Sequence, residues 1–293
     1  MKKNLFFLVP ILASVMIITS CNDDEDEQVF KDMTLSVSGL PELGDFYVYE
    51  GWLIDGEGTA YSTGTFFVDN GSNGSLTSSV DEEILNDAEK FVISIEPSPD
   101  PNPAPSSTKI LAGEFIGESA TLTYENNTAI GTGFTTAAGK YILATPTNGE
   151  DSNELSGIWW LNPDGPTSSL ILPDLNEGWI YEGWVVIDGT PVSTGKFTDP
   201  AEADISDLYS GTLDSPPFPG EDFLTNAPTN LTFPTDLSGQ TAVISVEPSP
   251  DNLVMPFSIK PLTGNIPATA EDHVLYSMTN NAASITLSGE VTK

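Results

Sequence analysis

The chain has no arginine, one cysteine and one histidine, and nine lysines face 43 acidic residues. Each scarcity removes a class of function. Without arginine there is no fork-shaped donor for bidentate capture of phosphate or carboxylate. So few cations cannot build the basic surface that nucleic acid requires. The single cysteine, Cys21, rules out a disulfide framework. One histidine, His273, cannot supply the usual His and Cys zinc or iron centres. Ser-His-Asp and Cys-His catalysis need a positioned histidine, and no glycine loop with a lysine is present to cradle phosphate. Apolar residues are not scarce. A 39% hydrophobic content rich in Phe, Trp, Val and Ile argues for packed domains rather than a disordered acidic chain.

Long apolar runs are also rare. Leu5 to Ile18 is the exception, and Lys2 and Lys3 precede it. The run is too short for a membrane span and fits a secretory leader over residues 1–20. It ends in Ile18-Thr19-Ser20-Cys21, which resembles the lipobox of bacterial lipoproteins. The resemblance implies that Cys21 carries lipid and begins the mature chain. Asn22 to Glu27 is an acidic run, expected to be a solvated tether over residues 21–31. It is similar to the run that marks surface export in Bacteroidetes-type lipoproteins. An outer-membrane lipoprotein is implied, at the cell surface rather than on the periplasmic face, held to the membrane by lipid alone. Loss of the leader leaves seven lysines against 43 acids, a formal charge of −36.

What the chain does contain is a duplication. LPELGDFYVYEGW at 40–52 recurs as LPDLNEGWIYEGW at 172–184, and VISIEPSPD at 92–100 recurs as VISVEPSPD at 243–251. Ser62-Thr63-Gly64 matches Ser193-Thr194-Gly195, and Lys109 matches Lys260. The turn signal Asn162-Pro163-Asp164-Gly165-Pro166 suggests a boundary, giving modules over residues 32–163 and 166–293. Short runs rich in aromatic and β-branched residues, such as Phe46 to Ile54 and Trp179 to Ile187, are separated by Gly, Asn, Asp and Pro clusters. They predict an all-β fold of two tandem β-sandwich-like, immunoglobulin-like modules. Helix is confined to Asp81 to Glu89 and a counterpart at Glu221 to Asn226. The second copy carries extra residues between Thr198 and Gln240, where a loop could specialise.

The repeated residues divide into scaffold and possible ligands. On a strand, Glu50 shares a face with Val48, Trp52 and Ile54, and Glu182 shares one with Ile180, Trp184 and Val186. A carboxylate among apolar neighbours needs a partner. Lys109 is expected beside Glu50 and Lys260 beside Glu182, with backbone amides as the rival partners. Gly51 and Gly183 fit a bulge or a close backbone approach. Glu96 and Glu247 precede proline and end their strands. A Glu50/Glu96 pair could in principle serve glycoside chemistry. Its repetition in both halves instead argues for scaffold, so no catalytic residue is assigned and the protein is read as not an enzyme. His273 has no counterpart in the first copy and is read as an incidental edge residue. Asp69 to Gly74 clusters oxygens in a turn but lacks the alternating acids of a calcium loop. Calcium is the one metal considered, with no cofactor and no metal site assigned. Pro97 to Pro105 forms a stiff crossover. Trp159 and Trp160 must face opposite ways. With Phe218 and Phe223 of the insertion they are the candidate binding aromatics, burial between the modules being the competing reading.

The order of these motifs is similar to the extracytoplasmic C-terminal domain of anti-sigma-K factors (the RskA type). The pattern runs Leu40-Pro41, Tyr49 to Trp52, Gly64 to Phe66, Glu96-Pro97 and Pro105, over residues 33–113 and again over 170–264. The resemblance implies the outer sensory or binding module without the sigma-binding domain or the membrane helix, and it carries over no catalytic residue. The expected function is a non-catalytic, lipid-anchored envelope protein binding a protein partner or ligand outside the cytoplasm. The alternative is a surface glycan-binding lipoprotein of a carbohydrate-uptake system.

Overall fold

The computed structural model describes residues 28–293 apart from Asn70, Gly71, Glu150, Asp251 and Asn252. The expected leader, the expected lipidation site Cys21 and the acidic run to Glu27 lie outside the described residues. Seven strands come first: β1 (Phe30–Ser38), β2 (Tyr47–Asp55), β3 (Ala60–Phe66), β4 (Asn73–Asp81), β5 (Ala88–Pro97), β6 (Lys109–Glu114) and β7 (Ser119–Thr123). They are followed by β8 (Ala138–Leu143), β9 (Gly157–Trp159), β10 (Leu161–Asn162), β11 (Thr167–Ser168) and β12 (Leu170–Ile171). Next come β13 (Trp179–Ile187), β14 (Thr190–Phe197), β15 (Gly220–Asp222), β16 (Thr241–Pro248) and β17 (Leu262–Asn265). The last are β18 (Tyr276–Ser277), β19 (Thr279–Asn280) and β20 (Ser288–Thr292). The protein is all-β, with α1 (Glu82–Asp87) as its one short α-helix among the described residues. Asp81 caps that helix by accepting from the Glu83 N–H, and Glu82 and Glu83 favour its first turn. No helix among the described residues is long and apolar enough to cross a membrane.

The first sheet runs β3-β2-β5-β6-β7-β20-β1-β4. Its two end strands meet where the Ser78 hydroxyl donates to the Thr63 carbonyl, so the sheet nearly closes into a barrel. Met33, Leu35 and Val37 alternate inward from β1, and Val291 does so from β20; all four are buried.

The remaining long strands repeat that order. One ladder runs β14-β13-β16-β17-β19, and a second runs β18-β8-β9-β15. The two join at Met278, between β18 and β19, whose N–H donates to the Gly139 carbonyl at 2.8 Å. Strand for strand, β13, β14, β16 and β17 take the places of β2, β3, β5 and β6. The strand formed by β18 and β19 takes the place of β7, and β9 and β15 take those of β1 and β4.

The eighth place is filled by exchange. β8 follows β7 in sequence but pairs with β9 and β18 of the second unit. β20 follows β19 but pairs with β7 and β1 of the first. The ladders therefore do not part at Asn162 to Pro166. That segment is a hairpin turn between β10 and β11 inside the second unit. Turn residues mark where a chain reverses, not where one set of pairings ends. By pairing, the units are residues 30–123 with 288–292, and residues 138–280.

The helix expected at Glu221 to Asn226 is absent. Glu221 and Asp222 belong to β15, opposite Ile158 and Gly157, with both acid side chains fully buried. Two adjacent acids resemble the first turn of a helix, but here they accept hydrogen bonds from neighbouring loops.

Candidate functional site

Two polar networks of one design lie behind the candidate site. β2 and β5 pair with Glu50 opposite Ser94 and Val48 opposite Glu96. This register puts Glu50, Trp52, Ser94 and Glu96 on one face. The Trp52 indole donates to Ser94 Oγ at 2.8 Å, and the Ser94 hydroxyl donates to Glu96 Oε1. The same carboxylate oxygen accepts the Ser106 N–H at 2.8 Å, while the Ser106 hydroxyl donates to the Ile95 carbonyl at 2.8 Å. Buried Glu96 thus ties down the far end of the proline crossover. In the second unit Trp184 donates to Ser245 at 2.8 Å, Ser245 donates to Glu247, and Glu247 accepts the Phe257 N–H at 2.8 Å.

The partners of Glu50 and Glu182 differ from those expected. Glu50 accepts from the Ser62 hydroxyl, and Glu182 accepts from Ser193. Lys196 Nζ stands 3.9 Å from Glu182 Oε2. No ion pair joins Glu50 to Lys109 or Glu182 to Lys260 among the described residues. The sheet order explains this: β3 and β14 flank the acid-bearing strands directly, whereas the lysines lie beside strands one place further away. Burial lowers the Lys260 ammonium pKa, and the charge of Glu247 opposes that shift. Burial raises the Glu50 pKa; the Ser62 hydrogen bond opposes the rise, and the charges of Glu96 and Asp100 add to it.

Gly51 and Gly183 sit at matching register shifts, just before Trp52 and Trp184. A Cβ on Gly51 would lie 2.6 Å from Thr63 Oγ1 and 2.7 Å from Phe91 Cζ. Both the bulge and the close approach read from sequence are present.

The networks position a cleft where the two units meet. Trp179 Nε1 donates to the Lys109 carbonyl at 3.1 Å, and Thr108 Oγ1 donates to that of Gly178 at 3.3 Å. The Asn176 amide bridges the carbonyls of Asn127 and Ala129 at 2.8 and 2.7 Å. Beside these contacts lies an apolar cavity of about 130 Å³. The first unit lines it with Leu43, Tyr47, Ile95, Pro97 and Ser106 to Thr108, the second with Pro248, Ser249, Pro250 and Leu253. Both repeated Glu-Pro-Ser-Pro segments therefore face one space. The Ser98–Pro99 and Ser249–Pro250 peptide bonds are both cis.

The four candidate aromatics are not exposed. Trp160 and Phe223 are 0% exposed, Trp159 1% and Phe218 9%. The tryptophan pair does face opposite ways: Trp160 enters the main core, and Trp159 packs with Ile142, Ala144, Leu161 and Phe218. Trp52, Trp179 and Trp184 are buried too, so no indole face of the protein is open to stack on a sugar.

The insertion instead holds three acids, none of them among the candidate site residues above. Asp204 accepts the Gly220 N–H at 2.9 Å and the Ser206 N–H at 3.0 Å. Glu221 accepts from the Ser210 hydroxyl and the Tyr209 N–H. Asp222 accepts from the Trp159 indole at 2.8 Å and the Thr147 N–H at 2.8 Å. Burial pushes Asp204 up to about 6 and Glu221 up to about 7. A polar depression of about 530 Å³, lined by Asp204, Asp207, Ser210 and Asp214 among others, opens beside them. The only signal for these acids was their place in the insertion.

The Asp69 to Gly74 turn includes two residues outside the described set. Its Asp69 Oδ1 accepts the Asn73 N–H at 3.1 Å, as in an ordinary turn. His273 stands in an exposed loop before β18 with its N–H donated to the Leu143 carbonyl at 2.9 Å.

No curated protein and no solved structure matches the chain. Residues 25–109 match the family described as anti-sigma-K factor rskA, C-terminal. The match spans β1 to the start of β6 and includes Glu50, Trp52, Ser94, Glu96 and Pro97. Residues 25–109 are accordingly similar to the C-terminal domain of anti-sigma-K factors.

Proposed function

We propose that the chain is a non-catalytic, lipid-anchored envelope protein. Its two anti-sigma-K-like modules bind a protein partner outside the cytoplasm, at the cleft between them. The carrying observation is that one apolar cavity is lined by the Glu-Pro-Ser-Pro segments of both units. Domain junctions are among the places where binding sites preferentially form. The family match over residues 25–109 supports a sensory or binding module in the first unit. The Trp184-Ser245-Glu247 network supports the same reading for the second, because it repeats Trp52-Ser94-Glu96 bond for bond. The buried acids are occupied as acceptors for scaffold donors, which supports a role other than catalysis. The lipobox-like Cys21 and the acidic run after it support an outer-membrane anchor facing the cell surface.

The test is affinity capture from intact cells with the full-length protein and a Ser107→Trp variant. Ser107 is exposed on the cleft wall, so an indole there fills the space without entering the core. A partner retained by the wild type and lost by the variant is expected. Equal capture by both proteins would remove the cleft from the proposal.

A further inference from the structure

We propose that Glu154, Asp272 and His273 form a binding site for a divalent transition-metal ion of the zinc class. One potential ligand atom from each residue lies within 4.8 Å of the other two. His273 Nδ1 stands 3.5 Å from Asp272 Oδ2. That is longer than a good N–H···O hydrogen bond, which runs about 2.7–3.2 Å. It matches the separation of neighbouring donors around a tetrahedral ion, roughly 3.3–3.6 Å for metal–ligand bonds of about 2.0–2.2 Å.

Adjacent residues on an extended chain point to opposite sides. His273 departs from that geometry with φ +57°, and its N–H is fixed to the Leu143 carbonyl at 2.9 Å. Asp272 and His273 thereby converge on one point. Glu154 approaches from a 3-10 turn at Glu154–Ser156. Its Oε2 accepts the Thr145 N–H and its Oε1 the Thr145 hydroxyl, each at 3.1 Å. These bonds orient the carboxylate and leave it lone pairs for an ion. The cluster borders a depression of about 220 Å³ that Asp151 also lines, leaving room for water or a fourth donor.

The donor set selects the class of ion. One imidazole nitrogen with two carboxylates suits zinc, nickel or copper, whereas calcium and magnesium prefer oxygen alone. The site also sits at the end of exchanged strand β8, so an ion would clamp the loops that hold Leu143 in place.

Because His273 is the only histidine, its imidazole signal in proton NMR has one assignment. The experiment titrates ZnCl₂ into the full-length protein and follows that signal and the thermal unfolding midpoint, with CaCl₂ in parallel. The expected result is a saturable shift complete near one equivalent of zinc, a raised midpoint, and no shift with calcium. Glu154→Gln should weaken zinc binding about tenfold or more, and His273→Ala should abolish the rise in midpoint. An imidazole signal unmoved by excess zinc overturns the site. So does an unchanged affinity in Glu154→Gln, which would mean a lone surface histidine. An undiminished midpoint rise in His273→Ala overturns it too, since diffuse carboxylates would then bind the zinc.

Discussion

The indole N–H of Trp52 donates to Ser94 Oγ at 2.8 Å, joining β2 to β5 across the face that carries Glu50 and Glu96. The serine cannot be replaced by either neighbour. Its oxygen accepts from the tryptophan while its proton goes to Glu96, which in turn holds the Ser106 amide. A buried indole, a buried carboxylate and the return of the proline crossover all depend on one hydroxyl. The second unit repeats the relay through Ser245.

Ser94→Ala leaves the Trp52 N–H and one Glu96 lone pair buried without their partner. An orphaned buried polar group costs about 1–3 kcal/mol, more when it is charged. We expect Ser94→Ala and Ser245→Ala each to lower stability by about 2–4 kcal/mol in urea denaturation. Ser38→Ala, which removes an exposed Ser38–Ser288 contact, should stay within about 0.5 kcal/mol. A loss at Ser94 no larger than that at Ser38 would show the relay to be dispensable.

The serines also mark the limit of what the sequence made legible. The repeated Glu, Gly and Trp could be placed on one face by alternation, and that placement holds. The partner choice did not follow, because charge pairing suggested Lys109 and Lys260 while sheet order decided it. β3 is next to β2, so Ser62 reaches Glu50 first. β4 offers Asn73-Gly74-Ser75-Leu76-Thr77-Ser78, with little apolar alternation, and is held by its pairing with β1. The exchange of β8 and β20 has no local signal at all, since any β-strand can fill a vacant ladder whose register it fits. Asp204, Glu221 and Asp222 have a related reason: several of their donors are remote in sequence, such as Gly220 for Asp204 and Thr147 and Trp159 for Asp222.

Gly51 and Gly183 are predicted to resist even a methyl group. A Cβ on Gly51 meets Thr63 and Phe91, and one on Gly183 meets Thr194 and, at 2.6 Å, Trp160 Cη2. These neighbours are themselves buried and cannot swing aside. Overpacking of this kind costs about 1–3 kcal/mol. Urea midpoints for Gly51→Ala and Gly183→Ala should fall accordingly with an unchanged slope. Wild-type midpoints would mean that the barrel wall yields at these bulges.

Strand exchange gives the C-terminal residues a role far from their place in sequence. Val291 is fully buried, and β20 bridges β7 and β1. A chain ending at Leu287 should lose amide protection first in β1 and β7, around Leu35 and Leu122. β13 and β16, around Val185 and Ile244, should keep theirs. Burying Val291 is worth roughly 1.5–3 kcal/mol and each lost ladder hydrogen bond about 0.5–1.5 kcal/mol, enough together to open the first unit locally. Hydrogen exchange resolved by mass spectrometry reads this directly. Uniform loss across both units would show that they unfold as one, and loss confined to the second unit would contradict the pairing.

The acids of the insertion set how stability follows pH. Asp204 at about 6 and Glu221 at about 7 lie above the roughly 3.9 and 4.3 of unexposed-to-field, unfolded carboxyls. Burial is the largest cause for both, only partly offset by their hydrogen-bond donors. Between about pH 4 and 7 the folded chain therefore holds protons that the unfolded chain has released. Folded acids with raised pKa favour the native state at low pH, and that advantage is lost as pH rises through their folded values. Each such group can contribute a slope of at most about 1.4 kcal/mol per pH unit. Calorimetry should give a melting midpoint that falls from pH 5 to pH 7.5. Glu221→Gln keeps an acceptor for Ser210 but cannot ionise, so its midpoint should fall less steeply over the same range. A variant slope equal to that of the wild type would mean that Glu221 is already ionised at pH 5 and that the dependence arises elsewhere in the acidic surface.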